Sequence, residues 1–183
     1  TLEKNENTIR LKSEYRGPIK SPVDRSTDLR VYIPQKIENL SIKLDTGRIV
    51  IFDDIRCDLN LDINMANTRI NRFEGRINLN ADMCDLRIDG GRISQGSNIH
   101  VNMGNVEIKA GFDTSEICRI STGVGNISLS LPTDTRVGFE AIGNVYTDEF
   151  ADCEFPPLIK VRSDMGRIII KKNDSHMNTA DNR

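Results

Sequence analysis

The chain has 183 residues, with 25 basic and 27 acidic side chains, a net charge of −2, 37 % hydrophobic and 5 % aromatic residues, and no tryptophan. This balance excludes a dedicated nucleic-acid binder, which would carry a basic excess along one face. No apolar run reaches the roughly eighteen residues a membrane-crossing helix requires.

Residues 1–36 carry one strand-like stretch, Thr8 to Lys12, followed by a loop from Gly17-Pro18 to Ser21-Pro22. This segment is expected to be a cap and first partial rung, because an open coil end would expose unpaired strand edges. The chain starts at Thr1, which leaves room for an upstream leader, anchor or partner domain.

From residue 37 to 172 one phrase recurs about every twenty residues: alternating apolar positions, a small corner residue, a polar residue, then alternating apolar positions again. It begins as Leu40, Ile42, Leu44, Gly47, Arg48, Ile49 and Ile51, and ends as Ile159, Val161, Gly166, Arg167, Ile168 and Ile170. With the corner as origin, the copies align on Gly47, Thr68, Cys84, Gly104, Gly125, Gly143 and Gly166. Two residues later comes an aliphatic column of Ile49, Ile70, Leu86, Val106, Ile127, Val145 and Ile168. Five residues before the corner, Ile42, Ile63, Leu79, Ile99, Ile120 and Val161 repeat the pattern. In the sixth copy Val137, Phe139 and Ala141 restore it one residue out of step, as a bulge would.

Period-two alternation is the signature of a strand with one buried face. The inward set falls at odd offsets before the corner and even offsets after it, so a bend must reset the parity, a task suited to glycine. Such copies contain no apolar stretch of helical period, so equivalent strands must pair in parallel from coil to coil. The expected fold is all-β: a single-domain right-handed parallel β-helix or β-solenoid of about seven rungs. Residues 173–183 are polar and patternless and read as a disordered tail, with Ser175-His176-Met177 resembling a cloning scar.

Cys57, Cys84, Cys118 and Cys153 sit at different offsets from the corner, which favours free thiols used as small hydrophobes over disulfides. No Cys-x-x-Cys pair exists and there are two histidines, so no metal ligand set and no cofactor are expected. His100 is flanked by inward positions and faces out, without a nucleophile motif beside it. The Asp89-Gly90-Gly91 turn occurs once, whereas a calcium-binding repeat needs a periodic ladder. Asp53, Asp54, Asp58 and Asp62, with Asp82, Asp85 and Asp89, fall on outward or turn positions. Paired carboxylates there would suit a β-helical polysaccharide lyase or hydrolase, although any soluble coil needs polar groups at those positions.

The remaining constellation is the residue after each corner: Arg48, Arg69, Asp85, Asn105, Asn126, Asn144 and Arg167. Stacked at a strand spacing of about 4.8 Å, its asparagines predict an amide ladder that satisfies bent backbone, or alternatively a polar recognition strip.

The phrases Asp28-Leu29-Arg30-Val31-Tyr32-Ile33-Pro34, Leu40 through Ile49, and Ile127-Ser128-Leu129-Ser130-Leu131-Pro132 resemble the bacterial adhesin-like β-solenoid family, also catalogued as a domain of unknown function. The resemblance covers residues 28–171 and rests on many weak repeats; arginine or asparagine stands where the family usually has aspartate after the glycine. It implies a bacterial, non-enzymatic protein associated with the cell envelope and its stress responses, and it defines no site residues. The expected role is an interaction surface or scaffold at the envelope or surface, with a protein or cell-wall component as partner. A self-associating structural scaffold and a carbohydrate-active enzyme are the alternatives.

Overall fold

The computed structural model describes residues 2–5, 8–11, 30–33, 37–113, 115–147 and 157–173. The alternation becomes strand throughout, and no helix forms among these residues. Strands β1 (Leu2–Asn5) and β2 (Thr8–Leu11) form an antiparallel pair, and β2 lies against the first turn of the coil. The other calls on residues 12–29, 34–36 and 174–183, and Cys153, lie outside the described residues.

The coil starts with β3 (Asn39–Arg56) and β4 (Asp58–Gly75), each spanning a whole turn. The next turn divides at its corners into β5 (Ile77–Met83), β6 (Leu86–Ile88) and β7 (Gly91–Ile93). It is followed by β8 (Asn98–Met103), β9 (Val106–Lys109) and β10 (Gly111–Phe112), and then by β11 (Cys118–Val124) and β12 (Ile127–Pro132). The short β13 (Gly138–Tyr146) and the long β14 (Pro157–Asn173) complete it. Every pairing from β3 onward is parallel, giving a β-solenoid of about six turns. The expected seventh rung is reduced to β13.

In-register pairing stacks like on like. Leu61, Leu79, Ile99, Ile120 and Val161 form one buried column, and Ile70, Ile88, Ile108, Leu129 and Ile170 form another. They belong to one continuous apolar core that also takes in Cys57, Cys84 and Cys118. Burying side chains of this size contributes about 1.5–3 kcal/mol each before conformational entropy is subtracted.

Two expectations need correction. Gly47 pairs with Ala66, not with a residue aligned on Thr68, so the second corner lies two residues earlier than the alternation indicates. Thr68 itself occupies the buried column with Ile49 and Leu86, which is therefore not wholly aliphatic. A slip of two residues keeps every side chain on its face, so period-two alternation is blind to it. Secondly, the last two copies exchange places: β14 pairs on one side with β11 and β12 and on the other with β13. The reason lies in their apolar content. An interior turn is covered above and below, and β14 supplies buried Ile159, Val161, Ile168 and Ile170 for that position. By contrast, β13 offers the half-buried Phe139 and Val145, and it pairs through the register shift at Gly138 that the out-of-step alternation indicated.

The corners impose the tightest packing. Gly125 has φ of +151°, and a Cβ there would lie 1.9 Å from the Gly104 carbonyl oxygen of the preceding turn. Gly125→Ala should therefore destabilise the fold by about 3 kcal/mol or more. Gly111→Ala, whose Cβ would find its nearest neighbours at 3.8 Å without a positive φ, should change stability by less than about 1 kcal/mol. Denaturant unfolding followed by the β-sheet circular dichroism signal measures both.

Candidate functional site

Strict alternation would turn the residue before each corner inward, and the structure turns it outward. Five and three residues before the corner the side chains are inside, as Leu61 and Ile63 are in β4. The next two outward positions are consecutive, Asn64 and Met65, before Ala66 goes in, Asn67 out and Thr68 in. The bend thus leaves one outward column on each side of the corner residue.

The first column is apolar. Met65 pairs with Met83, Met83 with Met103, Met103 with Val124, and Val124 with Met165. Met65 is 46 % exposed, Met103 45 %, Val124 44 % and Met165 64 %. Four of the chain's five methionines therefore stand in one outward file. Over the lower turns the file borders a shallow groove of about 340 Å3, which Asn67 and Asp85 also line.

The second column is the predicted polar row. Asp85 Oδ1 accepts from the Asn105 backbone N–H at 2.8 Å and from its Nδ2 at 3.0 Å. Asn105 Oδ1 accepts in the same way from Asn126, at 3.0 Å and 3.1 Å, and Asn126 Oδ1 accepts from the Arg167 backbone N–H at 2.9 Å. The amide ladder joins Asn105 and Asn126, starts from Asp85 and is directional, each oxygen capping the turn above it; Asn144, expected as its third amide, is separated from Asn126 by Arg167 because β14 lies between β12 and β13. Arg48 opens the row opposite Asn67, and Asn144 of β13 lies opposite Arg167, whose guanidinium stands 5.9 Å from the Tyr146 ring centroid.

Arg69 is not part of this row. It pairs in register with Arg87, and both guanidinium groups hold Asp89: Arg69 Nε donates at 2.9 Å and Arg87 Nε at 2.7 Å. Its place in the row belongs to Asn67, missed because the second corner is alanine. The signal was available in a recurring triplet: Met65-Ala66-Asn67, Met83-Cys84-Asp85, Met103-Gly104-Asn105, Val124-Gly125-Asn126 and Met165-Gly166-Arg167.

Elsewhere the outer faces hold paired charges. Asp62 accepts from Lys43 at 2.7 Å, Asp58 from Arg76, and Asp54 lies 3.6 Å from Arg72, while Asp53 and Asp82 are exposed. These carboxylates are dispersed over several turns. His100 Nδ1 is 2.9 Å from Ser121 Oγ of the next turn, a contact between outward side chains that spacing did not reveal. The thiols of Cys57, Cys84 and Cys118 are buried; burial pushes Cys57 up to about 11 and raises the other two, which keeps them protonated. No group of three or more His, Cys, Asp and Glu side chains suited to a metal converges among the described residues.

No protein-family model matches this chain, and neither curated proteins nor solved structures include a significant match to it.

Asn105→Ala removes the acceptor for two Asn126 donors and should cost about 1 kcal/mol, because these bonds face solvent. Arg48→Ala, at the end of the row, should stay within about 0.5 kcal/mol; thermal unfolding compares the two. Asp89 predicts a pH dependence. Burial pushes its carboxyl up, but hydrogen bonds from Arg87 and Arg69 outweigh that and hold it below its ordinary 3.8. Its contribution is therefore complete above the unfolded-state value and is lost as pH falls through the lowered folded-state value. Asp89→Asn should be less stable than the parent at pH 7, and the gap should close in that acid window, as measured by urea unfolding across pH.

Proposed function

We propose that this protein is a non-enzymatic β-solenoid that serves as an interaction surface, docking a protein partner of the bacterial envelope along the outward methionine file. The observation that carries this reading is the continuity of that file: Met65, Met83, Met103, Val124 and Met165 stack over five turns, Met83 half-buried and the other four exposed. Long thioether side chains adapt their shape to varied apolar partners. Contiguous exposed apolar surface on an otherwise charged protein marks a contact site. The neighbouring amides are engaged between turns, so the apolar file supplies the attraction and the polar row its rim. The envelope enters this reading through the resemblance to the adhesin-like solenoids.

The test is co-sedimentation with protein-bearing envelope fragments and with protein-free anionic vesicles, at low and physiological salt. Saturable, salt-insensitive binding to fragments is expected. It should be lost on protease treatment of the fragments and weakened at least about tenfold by Met103→Glu combined with Met165→Glu, a loss of about 1.4 kcal/mol. Binding to vesicles alone, or to neither, would overturn the proposal.

A further inference from the structure

The lower half of the methionine file has a chemistry that the upper half lacks. Met65, Met83 and Met103 occupy three successive turns in direct register, with no other residue interrupting the file. Above them Val124 replaces sulfur by carbon and separates Met165 from the group. All three lower methionines line the same groove.

The Cα atoms of the outer two stand two strand spacings apart, about 9.6 Å. An unbranched methionine has three rotatable bonds. Three thioethers anchored in this way have the reach to converge on one point above Met83. The groove's electrostatics favour a cation there: its one charged lining residue is Asp85, and no lysine or arginine lines it. Cys84 contributes to the wall, but its sulfur is turned into the core, 3.7 Å from Thr68 Oγ1. The ligand set is therefore thioether sulfur beside a carboxylate, with no imidazole.

We propose that Met65, Met83 and Met103 form a binding site for a soft monovalent metal ion, copper(I). Thioether sulfur is a soft, neutral ligand that selects copper(I), whereas copper(II) prefers nitrogen and oxygen in tetragonal arrangements. The Asp85 carboxylate supplies the single negative charge that balances the ion. Because thioethers carry no proton to lose, binding releases none from the methionines and persists below the pH at which thiolate or imidazole sites are lost. The inference goes beyond the docking of a protein partner and does not depend on it, since one needs apolar surface and the other needs sulfur.

Silver(I), the redox-inert equivalent, is the probe, titrated into the full chain carrying 13C-methyl methionine and Cys153→Ser. One equivalent is expected to shift the methyl signals of Met65, Met83 and Met103 together while that of Met165 stays in place. Replacing the three by leucine, M65L with M83L and M103L, keeps the apolar surface and should weaken silver binding at least about a hundredfold, whereas Met165→Leu should leave it unchanged. Static signals for the three methionines, a parallel shift of Met165, or undiminished binding in the leucine variant would each overturn the proposal. Should the triple variant fail to fold, the titration of the parent chain and of Met83→Leu alone gives the same decision. Envelope binding that survives the leucine replacements while silver binding is lost separates the two functions of the file.

Discussion

At three successive corners the carbonyl oxygen of one turn fills the place that a side chain would need in the next. A Cβ on Gly104, Gly125 or Gly166 would lie 2.1, 1.9 or 1.9 Å from the carbonyl oxygen of Cys84, Gly104 or Gly125. Parallel strands stack at about 4.8 Å, so a corner this sharp can be repeated only if the chain brings no side chain to that point. The second and third corners solve the problem differently: Ala66 and Cys84 keep negative φ and send their side chains into the core. In both forms the bend turns two consecutive residues outward before the corner and thereby exposes the methionines, while the residue after the corner also faces out and carries the amides.

The same constraint explains two of the buried hydroxyls in the core. Corner carbonyls that face inward need donors, and Thr122 Oγ1 donates to Gly104 O at 3.1 Å, as Ser163 Oγ does to Gly125 O at 2.9 Å. Both residues are 2 % exposed and occupy the column that holds Ile63 and Val101 in lower turns. Their hydroxyls satisfy carbonyls that would otherwise be orphaned in an apolar interior, at a cost of about 1–3 kcal/mol each. The column is thus hydroxylic only in the two turns that stack over Gly104 and Gly125, and aliphatic at Ile63, Ala81 and Val101 in the turns below.

Function on such a scaffold is written in columns, because each turn repeats the positions of the one below. The corner seam illustrates how the chemistry changes along the axis. Its lower part combines three thioethers with the Asp85 carboxylate, and its upper part sets Val124 and Met165 beside Arg167 and Tyr146. The other outer faces carry paired charges, such as the Arg69–Asp89–Arg87–Glu107 chain, two cations alternating with two anions, which stitch adjacent turns.

The parallel coil, its buried columns and the Asn105–Asn126 part of the amide ladder were legible in the residues alone, because alternation and a period near twenty leave few ways to bury one face of each strand. Alternation also has a blind spot of two residues, and it assigned the second corner to Thr68 and the row position to Arg69 where Ala66 and Asn67 stand. Only the folded chain showed that the methionines face outward, since the bend reverses their parity at alanine, cysteine and glycine corners alike and leaves no mark in the alternation. Only the folded chain, too, set β14 between β12 and β13. Sequence by itself determined which residues share a face, a matter of local side-chain direction; tertiary structure decided which turn lies on which, because that depends on the competition among whole turns to bury the most apolar surface.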